Sequence, residues 1–205
     1  ENGNNGYSAN LKLGADGLIF TEERLIYRSD RGVDIVDISR SDREARIKST
    51  DNYRAKFVIR CLEGFRKYHF HDTSDKSPFT IPSHIENDIY YLYYNGANLA
   101  AFLYDIKEEE KIVYNRIVKT IQSIAPYFSD FYFIPNTEDF VKLQWKDKYS
   151  DTVYGVNDLS DGTIRFIALT VLFMQPNLPD TIIIDEPELG LHPSAIAKLA
   201  GMIKS

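Results

Sequence analysis

Near the C-terminal end of the chain, Thr181-Ile182-Ile183-Ile184 runs directly into Asp185-Glu186-Pro187-Glu188. Four consecutive β-branched residues favour an extended strand, because two heavy atoms on Cβ restrict χ1 and pack well on a pleated surface. An unbroken apolar run, in place of an alternating one, is the pattern of a strand covered on both faces, as in a parallel sheet. A strand of that kind needs helices over it, so the fold class is α/β. The two carboxylates then emerge at the strand's C-terminal edge, where open α/β sheets bind ligands. Asp185 offers the hard oxygens that suit Mg²⁺, and Glu186 is placed to polarise a water. Taken alone, the run also fits a strand that merely ends in a solvated acidic pair.

A second motif lies just upstream. Leu159-Ser160-Asp161-Gly162-Thr163 leads into the apolar stretch Ile164-Arg165-Phe166-Ile167-Ala168-Leu169-Thr170. Ser160 at the N-cap and Gly162 in the first turn leave backbone N–H groups free at a helix N-terminus, which suits an anion. By itself this is a helix cap. Followed within one helix and turn by the acidic strand, residues 158–193 resemble the ABC-like branch of AAA-type ATPases: RecF-like proteins, SMC-like heads and bacterial ATPases of the overcoming-lysogenisation-defect (OLD) type. Asp185-Glu186 match the Walker B acids of that branch and Ser160 to Thr163 its signature motif. Weaker similarity at Tyr68-His69-Phe70-His71-Asp72 and Asn98 to Leu103 extends over most of the remainder.

The resemblance implies a partial P-loop NTPase head of ABC type, with an antiparallel β meander over residues 1–50, a helical lobe over 51–128, and the signature helix and Walker B strand over 129–205. It implies ATP and Mg²⁺ as cofactors. Asp185 would hold the metal and Glu186 would act on the attacking water of the same protomer's nucleotide. Ser160 and Gly162, flanked by Asp161 and Thr163, would touch the γ-phosphate bound on the opposite protomer of an ATP-sandwiched homodimer. Asp161 stands where the family's signature has a glycine, and Thr163 replaces its terminal polar or acidic residue. Leu189-Gly190-Leu191-His192 matches the D-loop, with His192 in place of its aspartate; an N-cap before Pro193 is the plainer role for that histidine. Arg165 fits either a relay from phosphate to the helical lobe or a surface salt bridge.

No Gly-x-x-x-x-Gly-Lys-Ser/Thr loop occurs in the 205 residues. Asn2-Gly3-Asn4-Asn5-Gly6-Tyr7-Ser8 has Tyr where the phosphate-binding Lys must be and strand-like alternation after it, so it fails the motif's context. The expectation is a fragment of a longer ATPase, inactive by itself. The longer protein would hydrolyse ATP in DNA repair or phage defence, with DNA or a nuclease as partner. Two rivals are a slow nucleotide switch coupled to a nuclease and a nonenzymatic interaction module.

The rest of the sequence frames this reading. A net charge of −6 and no dense Lys/Arg run disfavour nucleic-acid binding by the segment alone. No apolar stretch reaches membrane-spanning length, which suggests a cytoplasmic protein. Three strands are expected around Tyr7–Leu13, Leu18–Tyr27 and Val33–Ile38, then a helix over 52–67 with an apolar face at Phe57, Val58, Cys61, Leu62 and Phe65. Cys61, the single cysteine, reads as a buried thiol. Further helices are expected over 98–106, 109–124 and 163–173. His69 and His71 share a strand face as metal ligands do, yet the other two histidines, His84 and His192, sit in unrelated contexts, so a complete zinc site is not expected; the resemblance implies a place for this segment near the junction of the two lobes. Tyr90, Tyr91, Tyr93 and Tyr94 have no interleaved basic residues, which favours a core or lobe interface over a base-stacking platform.

Overall fold

The computed structural model describes residues 3–204. They fall into two compact units that divide between Phe65 and Arg66.

The first unit is a β meander with one helix. Gly3–Gly14 (β1), Gly17–Ser29 (β2) and Gly32–Asp37 (β3) pair antiparallel in the order β1-β2-β3. Gly17 and Gly32 turn the chain at φ of +125° and +129°, a region that side chains with a Cβ avoid. The segment from Gly3 to Ser8 lies within β1, so it is strand and not a phosphate loop; Asn2 falls outside the described residues. Glu23 is fully buried and accepts from the Tyr7 hydroxyl at 2.6 Å and the Arg46 and Ile47 N–H groups at 2.7 and 3.2 Å. Burial, then that bond to Glu23, pushes the Tyr7 phenol pKa well up.

Tyr53–Glu63 (α1) begins at Asn52, whose side chain accepts from the Arg54 N–H, and stops at Gly64. The helix is therefore shorter than its apolar periodicity predicts, and its buried stripe is rotated. Ala55 and Val58 pack against Leu25 and Ile47, with Ile59 partly covered. Phe57, Leu62 and Phe65 stay exposed. Cys61 is exposed too, which corrects the buried-thiol expectation. Spacing alone does not distinguish two apolar stripes about 100° apart on a helix; the residues across the interface do.

The second unit runs through Phe65–Tyr68 (β4), Ser83–His84 (β5), Leu99–Glu109 (α2), Lys111–Gln122 (α3), Phe128–Tyr132 (β6), Phe140–Val141 (β7), Gln144–Asp147 (β8), Val153–Gly155 (β9), Asp161–Met174 (α4), Thr181–Ile184 (β10) and Pro193–Ile203 (α5). Strands β6, β8 and β9 form an antiparallel sheet, β5 pairs with β7, and β10 pairs with β4. Trp145 on β8 stacks between Phe128 and Tyr154, at 5.9 and 5.0 Å between ring centroids, and its indole N–H donates to the Gly155 carbonyl at 3.0 Å.

Helix α4 is the centre of the core. Ile164 and every residue from Phe166 to Leu172 are buried, so the helix is covered on nearly all sides by α3, α5 and the rest of the cluster. Each large apolar side chain buried there is worth about 1.5–3 kcal/mol relative to exposure. Strand β10 differs from its expected full burial. Among the described residues it has one neighbouring strand, and Ile183 is 44% exposed.

Candidate functional site

The N-terminus of α4 is tightly organised. Ser160, in extended conformation, caps the helix by accepting from the Thr163 N–H at 3.2 Å. The Ser160 and Thr163 hydroxyls lie 2.8 Å apart, and the Tyr127 hydroxyl is 3.3 Å from that of Thr163. Asp161 is exposed in the first turn, where a negative charge complements the positive end of the helix dipole.

Gly162 is required by its neighbour. A Cβ at this position would run into the backbone carbonyl oxygen of Gly190. Gly190 in turn has φ of +73°, and a Cβ there would meet Nη1 of Arg165. Two glycines thus let the start of α4 lie directly on the turn that follows β10.

That turn holds the acidic residues. Glu186 sits at φ of +44°, a left-handed conformation that costs a non-glycine residue about 1–2 kcal/mol. Backbone bonds from the Leu189 N–H to the Glu186 carbonyl, and from the Leu191 N–H to the Glu188 carbonyl, both 3.1 Å, keep the turn closed. Leu191 anchors it in the core. His192 then caps α5, its Nδ1 accepting from the Ser194 N–H at 3.3 Å. The plainer of its two expected roles is therefore present.

Arg165 joins the pieces. Its guanidinium donates to the carbonyls of His71 at 2.7 Å, Leu189 at 3.2 Å and Phe70 at 3.3 Å. His71 Nε2 lies 3.1 Å from the Asp185 carbonyl oxygen. Arg165 makes no salt bridge with a described residue, so its charge is spent on backbone carbonyls of two distant segments. Two of those partners lie 94 and 95 residues upstream, beyond any local sequence signal.

The side-chain carboxylates of Asp185 and Glu186 are exposed and accept no hydrogen bond or ion pair from the described residues. Unpaired hard oxygens at a strand end fit Mg²⁺, which keeps several waters and needs only one or two protein carboxylates beside a phosphate.

Residues 7–205 match the family described as AAA domain, putative AbiEii toxin, Type IV TA system. The chain belongs to this family. It is a P-loop NTPase family, and such families generally use a nucleotide with Mg²⁺; the structure of this AAA domain is mixed α/β. No curated protein matches the chain.

Three further features lie within this AAA domain. Strand β4 ends at Tyr68, so His69 and His71 lie past it and not on a strand face; their rings stand 4.1 Å apart between centroids, and no group of three or more His, Cys, Asp or Glu gathers among the described residues. Asp72 instead folds onto Ser74, accepting from its hydroxyl at 2.7 Å and its N–H at 3.1 Å, and these bonds hold its carboxyl below the usual range. Tyr90, Tyr91 and Tyr94 are exposed, which removes the core alternative of their expected core or lobe-interface role; of the four, only Tyr93 is partly covered. Their tyrosine character gives them a wet end, so an aromatic run need not be interior. Among the described residues no helix is long and apolar enough to cross a membrane.

Proposed function

We propose that this AAA domain is part of an ATP-hydrolysing head of the ABC-like type, akin to RecF-, SMC- and OLD-like ATPases, and that two heads close on ATP as a dimer. The observation that supports it is the contact of Gly162 with the Gly190 carbonyl, locked by Arg165. It makes the capped start of α4 and the acidic turn one rigid body, as a head that presents one end to each of two nucleotides requires.

In this reading Asp185 holds Mg²⁺ on the protomer's own nucleotide, and the ion supplies charge neutralisation at the phosphate oxygens. Glu186 accepts a proton from water while the water oxygen bonds to the γ-phosphorus and the bond to the β–γ bridging oxygen breaks, leaving ADP and phosphate. Ser160 and the Gly162 N–H, with Asp161 and Thr163 beside them, face the γ-phosphate of the partner protomer's ATP. His192 stays a helix cap at the edge of that interface. No Gly-x-x-x-x-Gly-Lys-Ser/Thr loop occurs in the 205 residues, so this reading requires another segment to supply it. Closure of the two heads would drive a DNA-repair or phage-defence partner inside the cell.

The test is Glu186→Gln in an assembly that includes the phosphate-binding loop. The amide keeps shape and hydrogen bonding but takes no proton, so MgATP stays bound while turnover falls on the order of 100-fold or more. Hydrolysis at the unmutated rate would remove Glu186 from the mechanism.

A further inference from the structure

The exposed tyrosines lie beside β4. The backbone of His69, just past β4, donates to the Tyr94 carbonyl at 2.7 Å, so the segment around Tyr91–Tyr94 runs alongside that strand. Together they line a cleft of about 360 Å³ whose walls include Arg66, Lys67, Tyr91, Tyr93 and Tyr94, over buried Tyr68 and Leu92. β4 thus brings one basic residue, Lys67, to the wall that the tyrosines share.

The cleft is pre-organised. Asn98 is fully buried, accepts from the Tyr93 N–H at 2.8 Å, and donates to the Asp88 and Tyr91 carbonyls at 2.7 and 2.8 Å. Gly96, at φ of +75°, has no room for a Cβ against the Phe79 ring. The Tyr93 hydroxyl donates to Asp88 at 2.7 Å, which pushes its pKa up to about 12 and keeps the ring neutral. Tyr91 packs at 5.4 Å from Tyr93 by ring centroid, yet is itself 60% exposed, and Tyr94 is 65% exposed. Rigid backbone beneath exposed rings, with Lys67 at the wall, is the chemistry of a base-stacking platform that tracks a phosphate chain.

We propose that this cleft binds single-stranded nucleic acid, with unpaired bases stacked on Tyr91 and Tyr94 and a backbone phosphate at Lys67. Duplex is excluded by the same chemistry, since its bases offer no free π-face. The chain's net charge of −6 limits attraction to this local patch, so binding is modest and sensitive to salt. The proposal is independent of nucleotide chemistry at Asp185.

The test is fluorescence anisotropy of a labelled 15-nucleotide oligo-dT with the whole chain at low and moderate salt. Tyr91→Ala and Tyr94→Ala remove largely exposed rings and should each weaken binding about 5- to 150-fold. Lys67→Gln should make the slope of log K against log salt shallower by about 0.7. Circular dichroism of each variant confirms that the fold is intact. The proposal is overturned by no binding of oligo-dT at low salt, by binding that both tyrosine variants retain, or by equal binding of duplex or of AMP. Binding of an aromatic-rich peptide in preference to oligo-dT would likewise overturn it and make the cleft a protein-docking site.

Discussion

Replacing Gly162 by alanine pits helix propensity against a single backbone contact. In an open helix the change gains up to about 1 kcal/mol. Here the new methyl overlaps the Gly190 carbonyl oxygen, which belongs to backbone and has no rotamer to escape into. Overpacking of this kind costs about 1–3 kcal/mol. Moving the turn away also strains the Arg165 bond to the Leu189 carbonyl at 3.2 Å, and a bond to a charged donor is worth about 1.5–3 kcal/mol when intact. The net expectation is a loss of about 2 kcal/mol, or roughly 4–8 °C in Tm for a unit of this size. Fluorescence of Trp145, the single tryptophan, reports on the second unit alone. Gly201 in α5 is the control, since nothing lies within 4 Å of a Cβ placed there. Its alanine variant should be stabilised by about 0.5–1 kcal/mol. If Gly162→Ala melts at or above the parent temperature, the close packing of α4 on the acidic turn is wrong.

Two other variants probe the same region. Arg165→Met keeps the aliphatic stem but removes three charged donors from backbone carbonyls, so about 2–4 kcal/mol should be lost, with faster amide hydrogen exchange over residues 186–191. Unchanged exchange there would show that the guanidinium holds nothing. Glu186→Gly should relieve the left-handed strain and raise stability by about 1 kcal/mol, while abolishing the turnover of the loop-containing assembly; a thermal melt that falls would contradict the strain assignment.

Signals within a few residues were legible in the sequence. The three strands of the meander, the strand at Thr181–Ile184 and the helix that Ser160 caps all follow from β-branching, turn glycines and capping, and the structure has them. What local pattern did not carry was choice among equivalent local arrangements. Whether Cys61 or Ala55 faced inward depended on Leu25 and Ile47 across the interface. The exposure of the tyrosines depended on Asn98 pinning their backbone from the next helix start. Arg165 read as either a phosphate relay or a surface salt bridge, because its actual acceptors are carbonyls, which every residue has and no motif marks. For the candidate site, the sequence marked two motifs, and only the fold showed that glycines at 162 and 190 bring them into contact.

The central claim is that Ser160 and Asp185 of one chain serve different nucleotides, and subunit mixing tests it most directly. In the assembly containing the phosphate-binding loop, Ser160→Arg fills the γ-phosphate contact and should block ATP-driven dimerisation while leaving each monomer's nucleotide binding nearly intact. Asp185→Ala should instead weaken Mg²⁺-dependent handling of nucleotide within each monomer. Neither variant alone should turn over ATP. Mixed together, they should form heterodimers with one working site, where Asp185 of the first faces Ser160 of the second. Sedimentation with ATP establishes that the heterodimer exists, and turnover of the mixture reads the site. Recovered hydrolysis is the predicted result; a heterodimer that forms and stays inactive, or Ser160→Arg that dimerises normally, would contradict the composite site.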